Sequence, residues 1–185
     1  MGQSPVPLNE RGRAAVGMLA EALDGEGIGV IYTSTVVRAS ESSEILAGRW
    51  GCGIEEEPRL NESRYEGWVG MTYSELSGDP EFEMYRSSPT RSKFSKGEGM
   101  AGLQRRALGA IERIVSDGSC DRAAAVSHSD VIKPVIAHFL GMELDDIHRL
   151  SVDNASVTLL EIHADRRPRL RYMNMAPWRA RAGGL

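Results

Sequence analysis

Two short stretches place an anion-handling residue where an apolar run gives way to a helical pattern. The first is Tyr32-Thr33-Ser34-Thr35-Val36-Val37-Arg38-Ala39. An arginine in the first turn of a helix opposes the macrodipole, so Arg38 there signals an anion beside it. An exposed arginine on a helix face is the plainer alternative. The second stretch is Val126-Ser127-His128-Ser129-Asp130. His128 follows the apolar run directly, and the free amides of the helix that comes next, near Ser129 and Asp130, can cradle a phosphate. A lone histidine at a strand end is otherwise a structural residue. Two such junctions at one edge of a sheet favour a phosphate pocket, with Arg38, His128 and Ser129 as its candidates. Glu62, in Leu60-Asn61-Glu62-Ser63-Arg64-Tyr65-Glu66-Gly67-Trp68, opens a long irregular segment just after a strand. A carboxylic acid there can protonate a leaving group, a contribution of about 10²–10⁴-fold. Glu66 is a rival for that role, and a solvated acidic loop is the alternative to both.

The remaining titratable residues are less suggestive. His138 and His148 fall on or after a helix, His163 at a strand end, and none has a partner at metal-ligand spacing. No metal and no cofactor are expected. Gly97-Glu98-Gly99-Met100-Ala101-Gly102 matches GxGxxG, but the polar, basic residues from Arg91 to Lys96 precede it rather than a strand, so the dinucleotide context is absent. Cys52 and Cys120 show neither CxxC nor metal spacing and are expected as buried free thiols.

Elements that would hold these residues alternate along the chain. Asn9 caps a helix to Leu23 in which Val16, Leu19, Ala20 and Leu23 recur at helical spacing. Ile28 to Thr33 reads as a buried parallel strand. Ser34 and Thr35 are cap candidates for a helix from Val37 to Trp50, and a short strand follows at Gly53 to Glu57. From Pro58 to Gly99, Pro, Gly and aromatics mark an excursion with short helices near Thr72–Leu76 and Glu81–Tyr85. Segments of that length in a compact domain tend to be lids or binding loops. Met100 to Val115 is an amphipathic helix and Arg122 to Ser127 a buried strand. Asp130 to Leu140 is a helix with Pro134 near its first turn, and strands at Ser156–Ile162 and Leu170–Met173 close the chain. The alternation predicts a three-layer α/β/α sandwich with a mostly parallel sheet, whose ligands bind beyond the carboxyl ends of the strands.

Length and charge bound the possibilities. At 185 residues with a net charge of −4, one domain is expected, and a dedicated nucleic-acid binder, which carries a basic excess, is not. No apolar run reaches the ~18 residues of a membrane span, and the amino terminus lacks the pattern of a signal peptide. A cytoplasmic protein is the expectation.

Several motifs in order resemble the histidine phosphatase superfamily, which includes phosphoglycerate mutases. Pro7-Leu8-Asn9-Glu10-Arg11-Gly12 is similar to a PLTERG helix start, and Ile31 to Ser34 with Arg38, Ala39 and Glu41 to YSSPLxRAxET. Leu60-Asn61-Glu62 with Gly67-Trp68 and Gly70 resembles LxE…GxWEG. Val126-Ser127-His128 resembles VSHGG, with Ser129 and Asp130 in place of the two glycines, and Asp153-Asn154-Ala155-Ser156-Val157 resembles DNASV. The resemblance implies a phosphoglycerate mutase-like sandwich over 1–185, its excursion at about 58–99 covering the site. It assigns Arg38 and His128 to the phosphoryl group and Glu62 to proton donation. The implied partner is a small phosphorylated metabolite, with a homodimer left open.

The family's nucleophile is a different histidine, in an Arg-His-Gly motif ending a first strand, and that motif is not in the chain. Two registers are available. Met1-Gly2-Gln3-Ser4 can lie on His-Gly-x-Ser, with methionine at the nucleophile's place. The preferred register sets Gly2 to Leu8 on a later GxxDxPL stretch, which puts a strand and phosphate loop upstream of residue 1. A neutral thioether cannot form the phosphoenzyme. The expected function is therefore a phosphatase for small phosphate monoesters whose form as written lacks its nucleophile. A mutase, or a homologue that binds phosphate ligands without turnover, is the alternative.

Overall fold

The computed structural model describes residues 2–65, 67–94, 97–163 and 166–181. Helix α1 (Glu10–Ala22) begins where Asn9 accepts the Gly12 amide at 2.8 Å, an N-cap bond. It presents Val16, Leu19 and Ala20 inward. Strand β1 (Val30–Thr33) is buried at all four positions. It is the centre of a parallel three-stranded sheet, between β2 (Gly53–Glu56) and β3 (Ala123–Val126). The registers set Thr33 opposite Glu56 on one side and Val126 on the other, so all three carboxyl ends emerge at one edge.

Side-chain alternation along β1 divides the molecule into layers. Ile31 joins Val16, Leu19, Ala20 and Leu46, packing α1 and α2 (Val37–Trp50) on one face. Val30 and Tyr32 point to the other face, against Leu60 and Ala110 of α5 (Met100–Asp117). Helix α6 (Ser129–Leu140) packs beside α5 through Leu103, Ala107, Val131 and Val135. The chain is thus an α/β sandwich with a mostly parallel sheet. Strands β4 (Val157–His163) and β5 (Arg166–Met175) form a separate antiparallel ladder. Asp153 binds that ladder to α7 (Pro177–Arg181), accepting Asn174 Nδ2 at 2.8 Å and pairing with Arg179 at 2.9 Å. No helix among the described residues is long and apolar enough to cross a membrane.

Three sequence expectations are corrected. Strand β3 is not buried: Ala123 and Ala125 are exposed and their neighbours half-buried, because among the described residues β3 pairs with β1 alone. Pro134 lies in the second turn of α6 rather than near its start, and its carbonyl accepts Gln104 Nε2 at 2.8 Å from α5. Cys52 and Cys120 are free but only half-buried. Cys120 fills the space a side chain on Gly29 would need, 2.6 Å from the Cβ it would add.

The excursion is built from two short helices, α3 (Tyr73–Leu76) and α4 (Pro80–Ser87), capped by Thr72 and Asp79. Its aromatics form one cluster: Tyr65 stacks on Trp68 at 5.4 Å, and Phe94 meets both edge-on at 5.1 and 5.0 Å. Gly99 leads into α5, and among the described residues no strand immediately precedes it, so the GxGxxG match is a helix start. A Cβ on Gly99 would lie 2.0 Å from the Ser92 carbonyl oxygen.

Candidate active site

The sheet registers carry Arg38, Glu62 and His128 to the same edge, from the connections after β1, β2 and β3 respectively. Ser34 N donates to Val126 O at 3.0 Å and Glu57 N to Thr33 O at 2.8 Å, which ties the three connections together. Ser127 Oγ adds a bond to Leu60 O at 2.7 Å.

His128 is 7% exposed. Its Nδ1 lies 3.1 Å from Arg38 Nη2 and its Nε2 2.8 Å from Ser34 Oγ. A guanidinium can only donate, so Nδ1 accepts and the proton sits on Nε2, directed at Ser34. Ser34 in turn donates to Asn61 Oδ1 at 2.9 Å. Burial first, then the positive charges of Arg38 and Arg106, depress the imidazole from 6.5 to about 3. His128 is therefore a neutral Nε2–H donor at pH 7.

Arg38 is half-buried, and burial lowers its affinity for a proton while Glu62 opposes that. Nη2 donates to His128 and to Gly2 O at 2.8 Å, whereas Nη1 is buried with no partner among the described residues. A buried unsatisfied guanidinium nitrogen costs free energy, and an oxyanion is the group that relieves it. Ser129 and Asp130 open α6, with His128 at the N-cap offering no side-chain cap bond. Their amides belong to the orphan set of a helix start and face the same edge.

Glu62 is 9% exposed. Burial and the neighbouring Asp130 push its carboxyl from 4.5 up to about 8, against the pull of the Ser63 amide and Arg38. It therefore holds a proton at neutral pH, the state a general acid needs. The Ser63 amide donates to Oε1 at 2.9 Å, and Gln3 Nε2 donates to the Glu62 carbonyl at 2.7 Å. Along the same loop lies a cavity of about 440 Å³ lined by Gln3, Ser4, Arg64, Tyr65 and Val69.

The structure thus brings Arg38, His128, Glu62 and the Ser129 amide together. Glu66 and Met1 lie outside the described residues. The other histidines are elsewhere and exposed: His148 meets Tyr85 edge-on at 4.8 Å, His138 meets Phe139 edge-on at 5.4 Å, and His163 ends β4. Among the described residues no cluster of three or more His, Cys, Asp or Glu side chains could hold a metal ion.

Three contributors escaped the sequence reading. Ser34 and Thr35 read as caps for α2, yet its N-cap is Val36. Ser34 Oγ does accept Val36 N at 3.2 Å, but its other partners are His128 and Asn61. Asn61 also accepts the Thr35 amide at 2.8 Å, which holds the Arg38 and Glu62 connections side by side. Arg106 of α5 donates to the carbonyls of Arg59 and Asn61 at 2.6 and 2.8 Å and pairs with Glu98. Apart from Ser34–Val36 and Arg106–Glu98, these pairings span 26 to 94 residues of sequence, so only the Ser-Thr dipeptide before Arg38 offered a signal.

Comparison with known proteins places this geometry. The family model of the histidine phosphatase superfamily (branch 1) matches residues 1–176. The chain is 27% identical over 161 residues to phosphoserine phosphatase 1 of Hydrogenobacter thermophilus, covering 86% of this chain and 76% of that one. It is 28% identical over 162 residues to a probable phosphoglycerate mutase GpmB of Photorhabdus laumondii, covering 86% and 75%. Among solved structures, Bacillus stearothermophilus YhfR superposes with a TM-score of 0.87 at 29% identity, over 95% of this chain and 88% of that one.

Proposed function

The chain belongs to the histidine phosphatase superfamily (branch 1), and from that premise we propose that its site binds and hydrolyses small phosphate monoesters. The observation that carries this reading is the buried Arg38 Nη1, unpartnered among the described residues, beside a neutral His128 and a protonated Glu62. Arg38 and the Ser129 amide take the phosphoryl oxygens, and the His128 Nε2–H joins them by turning from Ser34 Oγ to the anion. Charge stabilisation of this kind supplies most of the catalysis in phosphoryl transfer. Glu62 faces the leaving oxygen, and the cavity bounded by Gln3, Arg64 and Tyr65 receives the alcohol.

The reaction has two steps. A histidine nitrogen forms a bond to phosphorus while the ester P–O bond breaks, and the leaving oxygen takes the electron pair and the Glu62 proton. The Glu62 carboxylate then removes a proton from water as its oxygen attacks phosphorus, releasing phosphate and freeing the histidine. His128, held between Arg38 and Ser34, is the one histidine at the site among the described residues. The attacking histidine would be that of an Arg-His-Gly, which the family resemblance implies and this chain does not contain, so the two steps describe a form that carries it. Relatives named phosphoserine phosphatase and phosphoglycerate mutase point to metabolites carrying both phosphate and carboxylate.

Hydrolysis of p-nitrophenyl phosphate at pH 5 to 8 without added metal tests this reading. The chain is assayed beside any form extended upstream to an Arg-His-Gly. Hydrolysis that needs the extension, and fails in Glu62→Gln, supports it. Silence in both forms with vanadate still bound supports the second reading, a phosphate-ligand binder without turnover, which rests on the single histidine at the site. Silence without vanadate binding removes both.

A further inference from the structure

The two residues after His128 are glycines in the motif this chain resembles, and here the second of them is Asp130. Its side chain is the meeting point of the excursion and α6. Tyr65 Oη donates to Asp130 Oδ2 at 2.5 Å and Tyr85 Oη donates to the same oxygen at 3.0 Å. Lys133, one turn on, stands 4.0 Å from Oδ1. Burial and the aspartate raise both phenols above their ordinary value, so each keeps its proton and donates. Asp130 is then the anion of the trio.

An extra anion at the mouth of a phosphate site is a liability, because it repels the dianion the site is built to hold. Its placement makes sense through Glu62. Tyr65 lies three residues after Glu62 on the same loop, stacked on Trp68 and edge-on to Phe94. Anchoring its hydroxyl to α6 fixes that loop against the element that carries His128. We propose that Asp130 is a positioning residue for Glu62: through Tyr65 and Tyr85 it fastens the loop bearing the carboxyl onto α6, and it sets a fixed negative charge beside that carboxyl. This rests on the phosphatase reading only for the use made of Glu62.

Among the described residues, the charged and titratable groups facing Glu62 come from three elements. They are Asp130 from α6, Arg38 from α2 and Tyr65 from the loop itself, with neutral His128 at the junction. Arg38 favours the carboxylate, and Asp130 favours the acid. Removing the Asp130 charge leaves Arg38 unopposed, so the Glu62 midpoint falls.

The test is a carboxyl ¹³C NMR titration of the chain, with Glu62→Gln assigning the resonance. Asp130→Asn keeps an acceptor for both tyrosines and removes only the charge. It is expected to lower the Glu62 midpoint by about one pH unit or more while Trp68 fluorescence, read throughout in a Trp50→Phe, Trp178→Phe background, stays as in the parent. Asp130→Gly also removes the acceptor, and is expected to red-shift Trp68 emission as the aromatic cluster loosens. A midpoint unmoved in Asp130→Asn overturns the electrostatic half of the proposal. Unchanged Trp68 emission in a folded Asp130→Gly overturns the fastening half. If Asp130→Gly does not fold, Tyr65→Phe, which deletes the shorter bond, replaces it with the same expected emission change. Inorganic phosphate, titrated separately, reads the site itself. Absence of binding in the parent would sink the phosphatase reading while leaving the Glu62 titration as an independent result.

Discussion

Replacing Arg38 by alanine isolates the anion-binding power of the site. Arg38 Nη2 makes bonds of 2.8 and 3.1 Å to Gly2 O and His128, and the buried Nη1 makes none among the described residues. An oxyanion on Nη1 gains a charge-assisted bond worth about 1.5–3 kcal/mol. Taking about 2 kcal/mol, and 1.4 kcal/mol per tenfold, Arg38→Ala weakens orthovanadate or phosphate binding by roughly 30-fold. The free protein changes little, within about 1 kcal/mol, since the loss of two hydrogen bonds is offset by removal of a buried unsatisfied nitrogen. Arg38→Lys keeps the charge without the planar fork and falls between the two. Isothermal calorimetry at low and moderate salt, with urea unfolding alongside, separates binding from stability. Affinity in Arg38→Ala within about twofold of the parent, given the tenfold-per-1.4 kcal/mol scale, would refute the assignment of the pocket.

Stability should be flat near pH 5–6 and fall on both sides. The His128 midpoint is depressed from 6.5 to about 3, so its stabilising contribution is complete above 6.5 and lost as pH falls toward 3. The Glu62 midpoint is raised from 4.5 to about 8, so its contribution is complete below 4.5 and lost as pH rises toward 8. Between 4.5 and 6.5 the two slopes, each about 1.4 kcal/mol per pH unit, cancel. Glu57, held near 2 by Arg59 and then Arg113, steepens the acid side below 4.5. Urea unfolding from pH 3 to 9 checks this, with Glu62→Gln expected to abolish the alkaline fall; a fall that survives contradicts the buried-acid picture. Ser34→Ala strips the acceptor from His128 Nε2–H and is expected to cost about 1–2 kcal/mol, read by the same method. Gly99→Ala pushes a methyl into the Ser92 carbonyl and should cost about 1–3 kcal/mol, with a wild-type melting temperature as the contrary result.

Local signals carried the elements well, because local physics makes them. Asn9 caps α1, Val37 and Trp50 bound α2, and Thr72 and Asp79 cap the excursion's helices, all through bonds within a few residues. Arg38, Glu62 and His128 were legible as candidates because each follows a strand, and parallel pairing then brings strand ends together. Asp130, Asn61 and Arg106 were not, since their partners lie far off in sequence and their types are ordinary for helix and loop surfaces. The burial of β3 was misread for a related reason: Ala-Ala-Ala-Val is apolar whichever neighbours it has, and only topology shows that among the described residues one side has no strand.

That one-sided strand bears on how the protein behaves in concentrated solution. Among the described residues the outward amides and carbonyls of Ala123–Val126 have no ladder partner, on a segment with no charge, no proline and two exposed alanines. Such a row is a template for another extended chain, and here only Asp121 and Arg122, at its amino-terminal end, stand guard. Self-association seeded at this edge would grow with protein concentration and be blunted by a lysine at Ala125, whereas the same change on the central β1 would only unfold the sheet.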